Sequence, residues 1–468
     1  MAIRIINLDT PTLGDRSYIA HDGTTALVVD PQRDIDRVEE ILGTQGVTIG
    51  AVVETHMHND YVSGGLVLAN KFDVPYITSA ADDVKFNRLA VQDREVVNVG
   101  DFAIQALHTP GHTFTHMSYI LLDDENVARG IFTGGSMLHG STGRPDLLGW
   151  DHAATLAGLQ HGSAHRIADL LEDRVSIHPT HGFGSFCAAT STSGDSSTIA
   201  DEKKTNPALL LDEKTFIEQT LAGLDAYPAY YKYMGPANIT GAGPIDLSAL
   251  KEMTGEEVRK AIGSGAWAVD LRPKSLYAKG HVPGSLSFGI DGSFATYFGW
   301  LFPYGEKLFL LSDRKDDIAY AQRELVRIGI DRPDGAFVGD LASLPGQAVN
   351  KTVTFENVPT ALNDPNIVVL DVRRTSERQA SHIEGTIHIP LHELKSRIAE
   401  LPDDKEIWVH CAGAYRAAAS MGILEGAGHK PVLINEAYDQ CLKVADLTIV
   451  SGHADASPVA PSDVMASA

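Results

Sequence analysis

Thr55-His56-Met57-His58-Asn59-Asp60-Tyr61 follows an apolar run, Ile49-Gly50-Ala51-Val52-Val53, and places three metal-ligand side chains within five residues. A strand ending in such a ligand-rich loop sets a cation at a sheet edge. Two further histidine turns extend the pattern, Thr109-Pro110-Gly111-His112 and His178-Pro179-Thr180-His181-Gly182. A lone histidine is usually a satisfied polar residue. Five ligand-type residues in three turns bounded by Gly or Pro instead favour a metal site. His56, His58 and His112, brought together by the fold, are expected to form a three-imidazole face suited to zinc or iron, with Asp60 and His181 on the opposite side as part of a second cation site.

Around this cluster the chain reads as layered α/β. Short β-rich runs (Ala26-Leu27-Val28-Val29, Ala51-Val52-Val53, Tyr76-Ile77) alternate with helical patterns such as Ile35 to Leu42. Residues 191–197 are rich in Ser, Thr and Gly and read as a loop, followed by a helix around Glu213 to Leu224. The Gly- and Pro-rich stretch from Met234 to Pro244 is read as a linker, which closes a first domain at residues 1–245.

Beyond it lies an internal repeat. Val269-Asp270-Leu271-Arg272 and Gly280-His281-Val282-Pro283-Gly284-Ser285 match Leu370-Asp371-Val372-Arg373 and Ser381-His382-Ile383-Glu384-Gly385-Thr386, with eleven residues from Asp to His in both copies. The repeat implies one fold used twice, as small doubly wound α/β domains at residues 250–350 and 356–453. The tail, residues 454–468, is expected to be disordered.

At 468 residues the chain is too long for one core. Lys+Arg 38 against Asp+Glu 61 gives a net charge of −23, which excludes nucleic acid and anionic lipid as expected partners. The opening Met-Ala-Ile-Arg-Ile-Ile-Asn carries no signal-like region, and no apolar run approaches the ~18–20 residues of a membrane span, so a cytoplasmic location is expected. Composition leaves a homo-oligomer open. Three scattered cysteines, Cys187, Cys411 and Cys441, are not a disulfide framework.

Cys411 stands out among them. Ile407-Trp408-Val409-His410 reads as a buried strand, Cys411-Ala412-Gly413-Ala414-Tyr415-Arg416 as a small-residue loop, and Ala417 to Leu424 as a helix. A cysteine at a strand end, facing a helix N-terminus, has its thiolate stabilised by backbone N–H dipoles, and Arg416 adds a fixed positive charge. Gly413 and Tyr415 are expected to face the substrate. Cys187 and Cys441 have no such surroundings and read as packed or surface thiols.

The repeat resembles the rhodanese family of sulfurtransferases, through its Asp-X-Arg motif, its Gly-His-X-X-Gly-type motif and the Cys-X4-Arg loop. The resemblance implies that Cys411 carries a sulfane sulfur between donor and acceptor, with Arg416 as the loop cation. In the first copy Ser312 aligns with Cys411 and Asp317 with Arg416, so that copy is expected to be catalytically silent.

The histidine motifs resemble the metallo-β-lactamase superfamily, which implies a four-layer αβ/βα sandwich. With Gly143-Arg144-Pro145-Asp146-Leu147 and Lys204-Thr205-Asn206-Pro207-Ala208-Leu209, the chain is similar to the persulfide dioxygenase branch, which includes fusions to rhodanese domains. That resemblance implies one iron held by two histidines, here His56 and His112, and an aspartate after Phe132-Thr133-Gly134. This chain has Gly135 there, and Tyr61 replaces the final histidine of the signature. A missing carboxylate weakens charge compensation. His58 could complete a three-histidine site, or Asp60, Asp146 or His139 could move in. Arg144 would either hold a carboxylate of a glutathione-like thiol or brace its loop. Tyr61 could bond a substrate or fill space, and His116 and Tyr119 could line the cavity.

Three functional readings follow. The first is an enzyme of persulfide metabolism and sulfide detoxification, using one iron or zinc ion, a low-molecular-weight thiol persulfide, and thiosulfate or sulfite. The second is a thioester hydrolase of the hydroxyacylglutathione hydrolase kind. The third makes the first domain a degenerate scaffold beside one active rhodanese domain.

Overall fold

The computed structural model describes residues 3–452 except 191, 193 and 345, so the tail expected at 454–468 lies outside the described residues. The chain divides into two compact units. The first runs to Ile245, and the second starts at Asp246, apart from Val326–Gly329, which groups with the first.

The first unit pairs β1 (Arg4–Thr10), β2 (Asp15–His21), β3 (Thr25–Val29), β4 (Thr48–Val53), β5 (Tyr76–Ser79) and β6 (Leu89–Val91) in that spatial order. Helices α1 (Asp36–Gln45) and α2 (Gly65–Phe72) are the crossovers flanking β4. A second sheet runs β7 (Val96–Val99), β8 (Phe102–His108), β9 (Met117–Leu122), β10 (Ala128–Gly134), β11 (Ser176–Pro179) and β12 (Ser197–Thr198). The outer helices are α3 (Trp150–Leu170), α4 (Ile199–Thr205), α5 (Pro207–Leu210), α6 (Glu213–Gly223) and α7 (Tyr231–Thr240).

Three apolar layers hold this unit together. Tyr18, Leu27, Val29 and Val53 meet Ile104, Tyr119, Leu121 and Phe132 between the sheets. Strand alternation sends Val28, Val52 and Ile49 the other way, onto Val38 and Leu42 of α1 and Leu68 of α2. The far face of the second sheet packs on α3, whose buried Ala153, Leu156, Ala157, Gln160, Ala164 and Ile167 recur at helical spacing. Thr198 and Asp201 form a capping box that starts α4. These layers are an αβ/βα sandwich.

The two sheets are tied at one edge. The Arg16 amide donates to the Thr180 carbonyl at 2.8 Å, the Met117 amide to that of Thr55 at 2.8 Å, and the Tyr18 hydroxyl to that of Pro179 at 2.6 Å. That edge carries the loops after β4, β8 and β11, and with them the histidine turns.

In the second unit, α8 (Gly255–Gly263), β13 (Trp267–Asp270), α9 (Lys274–Lys279), β14 (Leu286–Ser287), α10 (Phe294–Leu301), β15 (Leu308–Ser312), α11 (Lys315–Arg327) and β16 (Gly335–Val338) build a parallel sheet ordered β14-β13-β15-β16. Then follow β17 (Lys351–Val353), α12 (Val358–Asn363), β18 (Ile367–Asp371), α13 (Thr375–Ala380), β19 (Ser381–Ile383), β20 (Ile387–His388), α14 (Leu394–Arg397), β21 (Glu406–His410), α15 (Tyr415–Gly426), β22 (Lys430–Ile434) and β23 (Ile449–Ser451). Their parallel sheet is ordered β17-β22-β21-β18-β20, the mirror listing of the first with one strand added.

The repeated motifs make the same bonds in both halves. Arg272 grips Asp270 and donates to the Gly280 carbonyl at 2.8 Å; Arg373 grips Asp371 and donates to that of Ser381 at 2.8 Å. Asp270 pairs with Leu311 and Asp371 with His410, which sets Ser312 and Cys411 at the same register position.

The halves clasp along α15. The Tyr415 hydroxyl donates to the Gly289 carbonyl at 2.9 Å, a Cβ on Gly422 would sit 2.2 Å from the Ser285 oxygen, and Glu425 takes His281 Nε2 at 2.8 Å and Asn350 Nδ2 at 2.5 Å.

Candidate metal centre and sulfur-carrying loop

His56, His112 and His181 offer ligand atoms that all lie within 4.8 Å of one another, and all three are buried. His56 and His181 face each other through Nε2 atoms 3.2 Å apart. Two nitrogens ~2.0–2.1 Å from one tetrahedral ion stand at about that separation. The outward nitrogens are spoken for: His56 Nδ1 meets Thr55 Oγ1 at 2.9 Å, His112 Nδ1 meets the Arg144 carbonyl at 2.9 Å, and His181 Nδ1 meets Asp15 at 3.0 Å and Asp60 at 3.1 Å. Such outer partners fix which ring nitrogen turns inward. The remaining nitrogen of His112, Nε2, is buried without a partner. This donor set fits a single cation.

The trio differs from the expected His56, His58 and His112. His58 turns its Nε2 toward Glu54 at 3.1 Å and Asp30 at 3.3 Å, and stacks on Tyr61 at 4.3 Å between centroids. It groups instead with Asp60 and His181, or with Asp30 and Glu54. Two buried carboxylates outbid the metal face for its ring. Burial opposes charge on His58, but Asp30 and Glu54 hold it protonated up to about 10. In the metal-free chain Asp60 and Asp15 raise His181 to about 9 against burial, so a cation would displace the proton from its Nε2, whereas burial and neighbouring imidazoles push His112 down to about 3.

Gly135 is more than a missing ligand. A Cβ there would lie 2.3 Å from His112 Cδ2 and 2.6 Å from its Cγ, so the His112 ring occupies the space a side chain would need. None of the other substitutes replaces the carboxylate. Asp146 is held by Arg144 at 2.6 and 2.7 Å, His139 turns to the Gly194 carbonyl at 3.3 Å, and Asp60 stays beside His181.

Of the two readings of Arg144, anchor or brace, its contacts are those of a brace. It is buried, and beyond Asp146 it donates to the carbonyls of Asp225 at 2.6 Å and Phe186 at 3.3 Å. Tyr61 gives its hydroxyl to the Asp30 carbonyl and Tyr119 to that of Glu54, both at 3.1 Å. His116 Nε2 accepts the Gly135 amide at 3.0 Å. These three are internal struts.

In the second unit Cys411 directly follows β21, buried, with its Sγ 3.4 Å from the Ala417 amide of α15. Ala414 turns the loop in the left-handed region, at φ 62°. Arg416 is clamped by Glu377 through contacts of 2.5 and 2.8 Å. Glu377, 39 residues upstream, had no motif to announce it. A pocket beside the loop is lined by Arg374, His392 and Arg416 and walled by Tyr297 and Trp300, the latter stacked on His392 at 4.7 Å. Gly413 is exposed at the loop tip, while Tyr415 spends its hydroxyl on Gly289 and so does not face this pocket as a free donor. In the other half, Ser312 donates to Asp317 at 2.7 Å.

The Metallo-beta-lactamase superfamily profile matches residues 13–177, and the Rhodanese-like domain profile matches residues 354–440. A metallo-beta-lactamase from Staphylococcus aureus superposes with a TM-score of 0.65 at 28% identity, over 73% of this chain and all of that one. The lactamase-like protein notP of an Aspergillus species is 26% identical over 55% of this chain and 78% of its own length. A hydroxyacylglutathione hydrolase of Prochlorococcus marinus is 31% identical over 29% of this chain and 54% of its own length. The first unit therefore has the metallo-β-lactamase fold, and a rhodanese-like domain follows toward the C-terminus. Among the described residues, no helix is long and apolar enough to cross a membrane.

Proposed function

We propose that the chain handles sulfane sulfur, with Cys411 as the sulfur carrier and the first unit as a binding domain for a low-molecular-weight thiol persulfide. The observation that carries the reading is the Cys411 loop: a thiol at a strand end, 3.4 Å from a helix N-terminal amide, beside an ion-paired arginine and a pocket that a second arginine, Arg374, also lines. The helix N-terminus and the arginine suit the anionic sulfur of the proposed transfer. The Cys411 thiolate attacks the outer sulfur of thiosulfate, the S–S bond breaks, and sulfite leaves with the electron pair. Cys411 is then a persulfide, whose terminal sulfur passes to an acceptor nucleophile and whose thiolate returns.

In the first unit His56, His112 and His181 would hold the cation, oriented by Thr55, Arg144, Asp15 and Asp60. Bound there, iron would supply redox chemistry with dioxygen and zinc a Lewis acid. Iron is what the resemblance to persulfide dioxygenases implies, while three imidazoles without a carboxylate suit zinc. A thioester hydrolase is the second reading, favoured by the hydroxyacylglutathione hydrolase relative and opposed by Gly135, where no carboxylate can bridge two cations.

The test of the carrier is thiosulfate:cyanide sulfur transfer. Cys411→Ser abolishes it and Ser312→Ala leaves it intact; undiminished transfer by Cys411→Ser sinks the assignment. Elemental analysis of the purified chain, then oxygen uptake with glutathione persulfide against thioester hydrolysis, separates the readings of the first unit.

A further inference from the structure

Helix α7 lies against the ligand-bearing loop after β4, and one of its side chains bonds that loop three times. Asn238 donates from Nδ2 to the carbonyls of His58 at 2.8 Å and Tyr61 at 2.9 Å, and its Oδ1 accepts the Ser63 amide at 2.8 Å. Its side chain is buried, only 5% exposed. The amide thus uses both donor hydrogens and its acceptor on a six-residue stretch of backbone with no ladder partners of its own over His58–Asp60.

Two further contacts bring α7 close to the same centre. Gly235, one turn earlier, faces Asn59, whose Oδ1 lies 3.1 Å from where a Cβ would stand. Tyr231, at the start of the helix, has its hydroxyl 3.7 Å from Cys187 Sγ. Cys187 in turn hangs from Ser185, which donates to Asp60 at 3.5 Å, and its carbonyl accepts the Arg144 amide at 2.7 Å. Arg144 supplies the carbonyl that orients His112. The helix therefore touches the loop after β4 directly and the loops bearing His181 and Arg144 through Cys187.

We infer that Asn238 is a positioning residue of the metal centre: it fixes the backbone from His58 to Ser63, and through it the aim of His56 and Asp60. This rests on the proposed cation at His56, His112 and His181. Loops without a sheet partner keep a ligand geometry only when side chains replace the missing backbone bonds. Asn238 makes three such bonds from one rigid amide, so its removal frees the loop at three points together. Outer partners of metal ligands typically change affinity by about 10–100-fold when lost.

The experiment loads Co(II) into the full chain and reads affinity by chelator competition together with the visible d–d spectrum, which reports ligand geometry. Asn238→Ala and the isosteric Asn238→Asp should each bind Co(II) at least about tenfold more weakly than wild type, with a changed spectrum, while the metal-free chains keep wild-type far-UV circular dichroism. Asn238→Asp keeps the acceptor for Ser63 and loses both donors, so it stays informative if the alanine variant fails to fold. A wild-type affinity and spectrum in Asn238→Asp overturns the inference and leaves the metal reading standing. A wild-type chain that takes up no cobalt overturns both.

Discussion

Placing a methyl group at Gly135 tests whether His112 is positioned by packing. The backbone there does not require glycine, since Gly135 is not among the residues with positive φ. Any effect of Gly135→Ala is therefore steric. The new Cβ would lie 2.3 Å from His112 Cδ2, whereas ordinary contact begins near 3.4 Å, so the ring must retreat by about 1 Å. His112 cannot retreat that far and keep its 2.9 Å bond from Nδ1 to the Arg144 carbonyl. Overpacking of this kind costs about 1–3 kcal/mol, and the lost hydrogen bond about 0.5–1.5 kcal/mol more. The larger consequence is for the ion, because Nε2 leaves the convergence of the three imidazoles. Metal affinity should fall by about tenfold or more, measured by chelator competition on the full chain with zinc or cobalt. Gly135→Asp should weaken binding too, since its Cβ meets the same ring before its carboxylate can reach an ion. Gly162→Ala, on α3 with nothing within 4 Å of its Cβ, is the control. Tighter metal binding by Gly135→Asp, or unchanged binding by Gly135→Ala, refutes the packing argument.

Two further outcomes concern the Cys411 loop. Burial would raise the Glu377 carboxyl, but the Arg416 hydrogen bonds and charge hold it down at about 2, against 4.5 ordinarily. The pair's contribution, of order 2–3 kcal/mol, is complete above pH 4.5 and is lost as pH falls through about 2. Glu377→Gln should lower the urea midpoint at pH 6 and flatten its decline toward pH 3; an unchanged pH profile contradicts the pairing. At Ala414, glycine relieves the left-handed strain of about 1–2 kcal/mol but loosens the unfolded chain and loses a buried methyl, so stability should stay within about 1 kcal/mol. Ala414→Val puts a β-branched residue in that conformation and should cost more than 2 kcal/mol, roughly, together with most sulfur transfer. Equal stability of the two variants would mean the turn is not strained.

The histidine turns, the repeat and the cysteine loop were legible in sequence because each is local: spacing alone sets His56 near Asp60 and Cys411 near Arg416. What was illegible depends on register across distant strands. Which imidazoles converge is decided by links such as the Thr180 amide on the Gly134 carbonyl and by Asp30 and Glu54 drawing His58 away, neither of which spacing encodes. The partner of Arg416 lies 39 residues off and that of the His58–Ser63 loop about 180, with no motif at either end. Gly135 read as a deficit, since sequence does not reveal that the His112 ring fills its space.

The clasp along α15 gives the cysteine-free repeat a reason to persist. Duplicated segments that lose their reactive group are ordinarily free to erode. Here Gly289 receives Tyr415 at the head of the helix, Ser285 meets Gly422 at its middle, and His281 and Asn350 hold Glu425 near its foot. Trimming the first copy would leave the second with an uncovered helix and two aromatic walls fewer around its pocket. The first copy is a mould for the second, so keeping the one thiol's loop in place also constrains residues 250–350, which contain no cysteine.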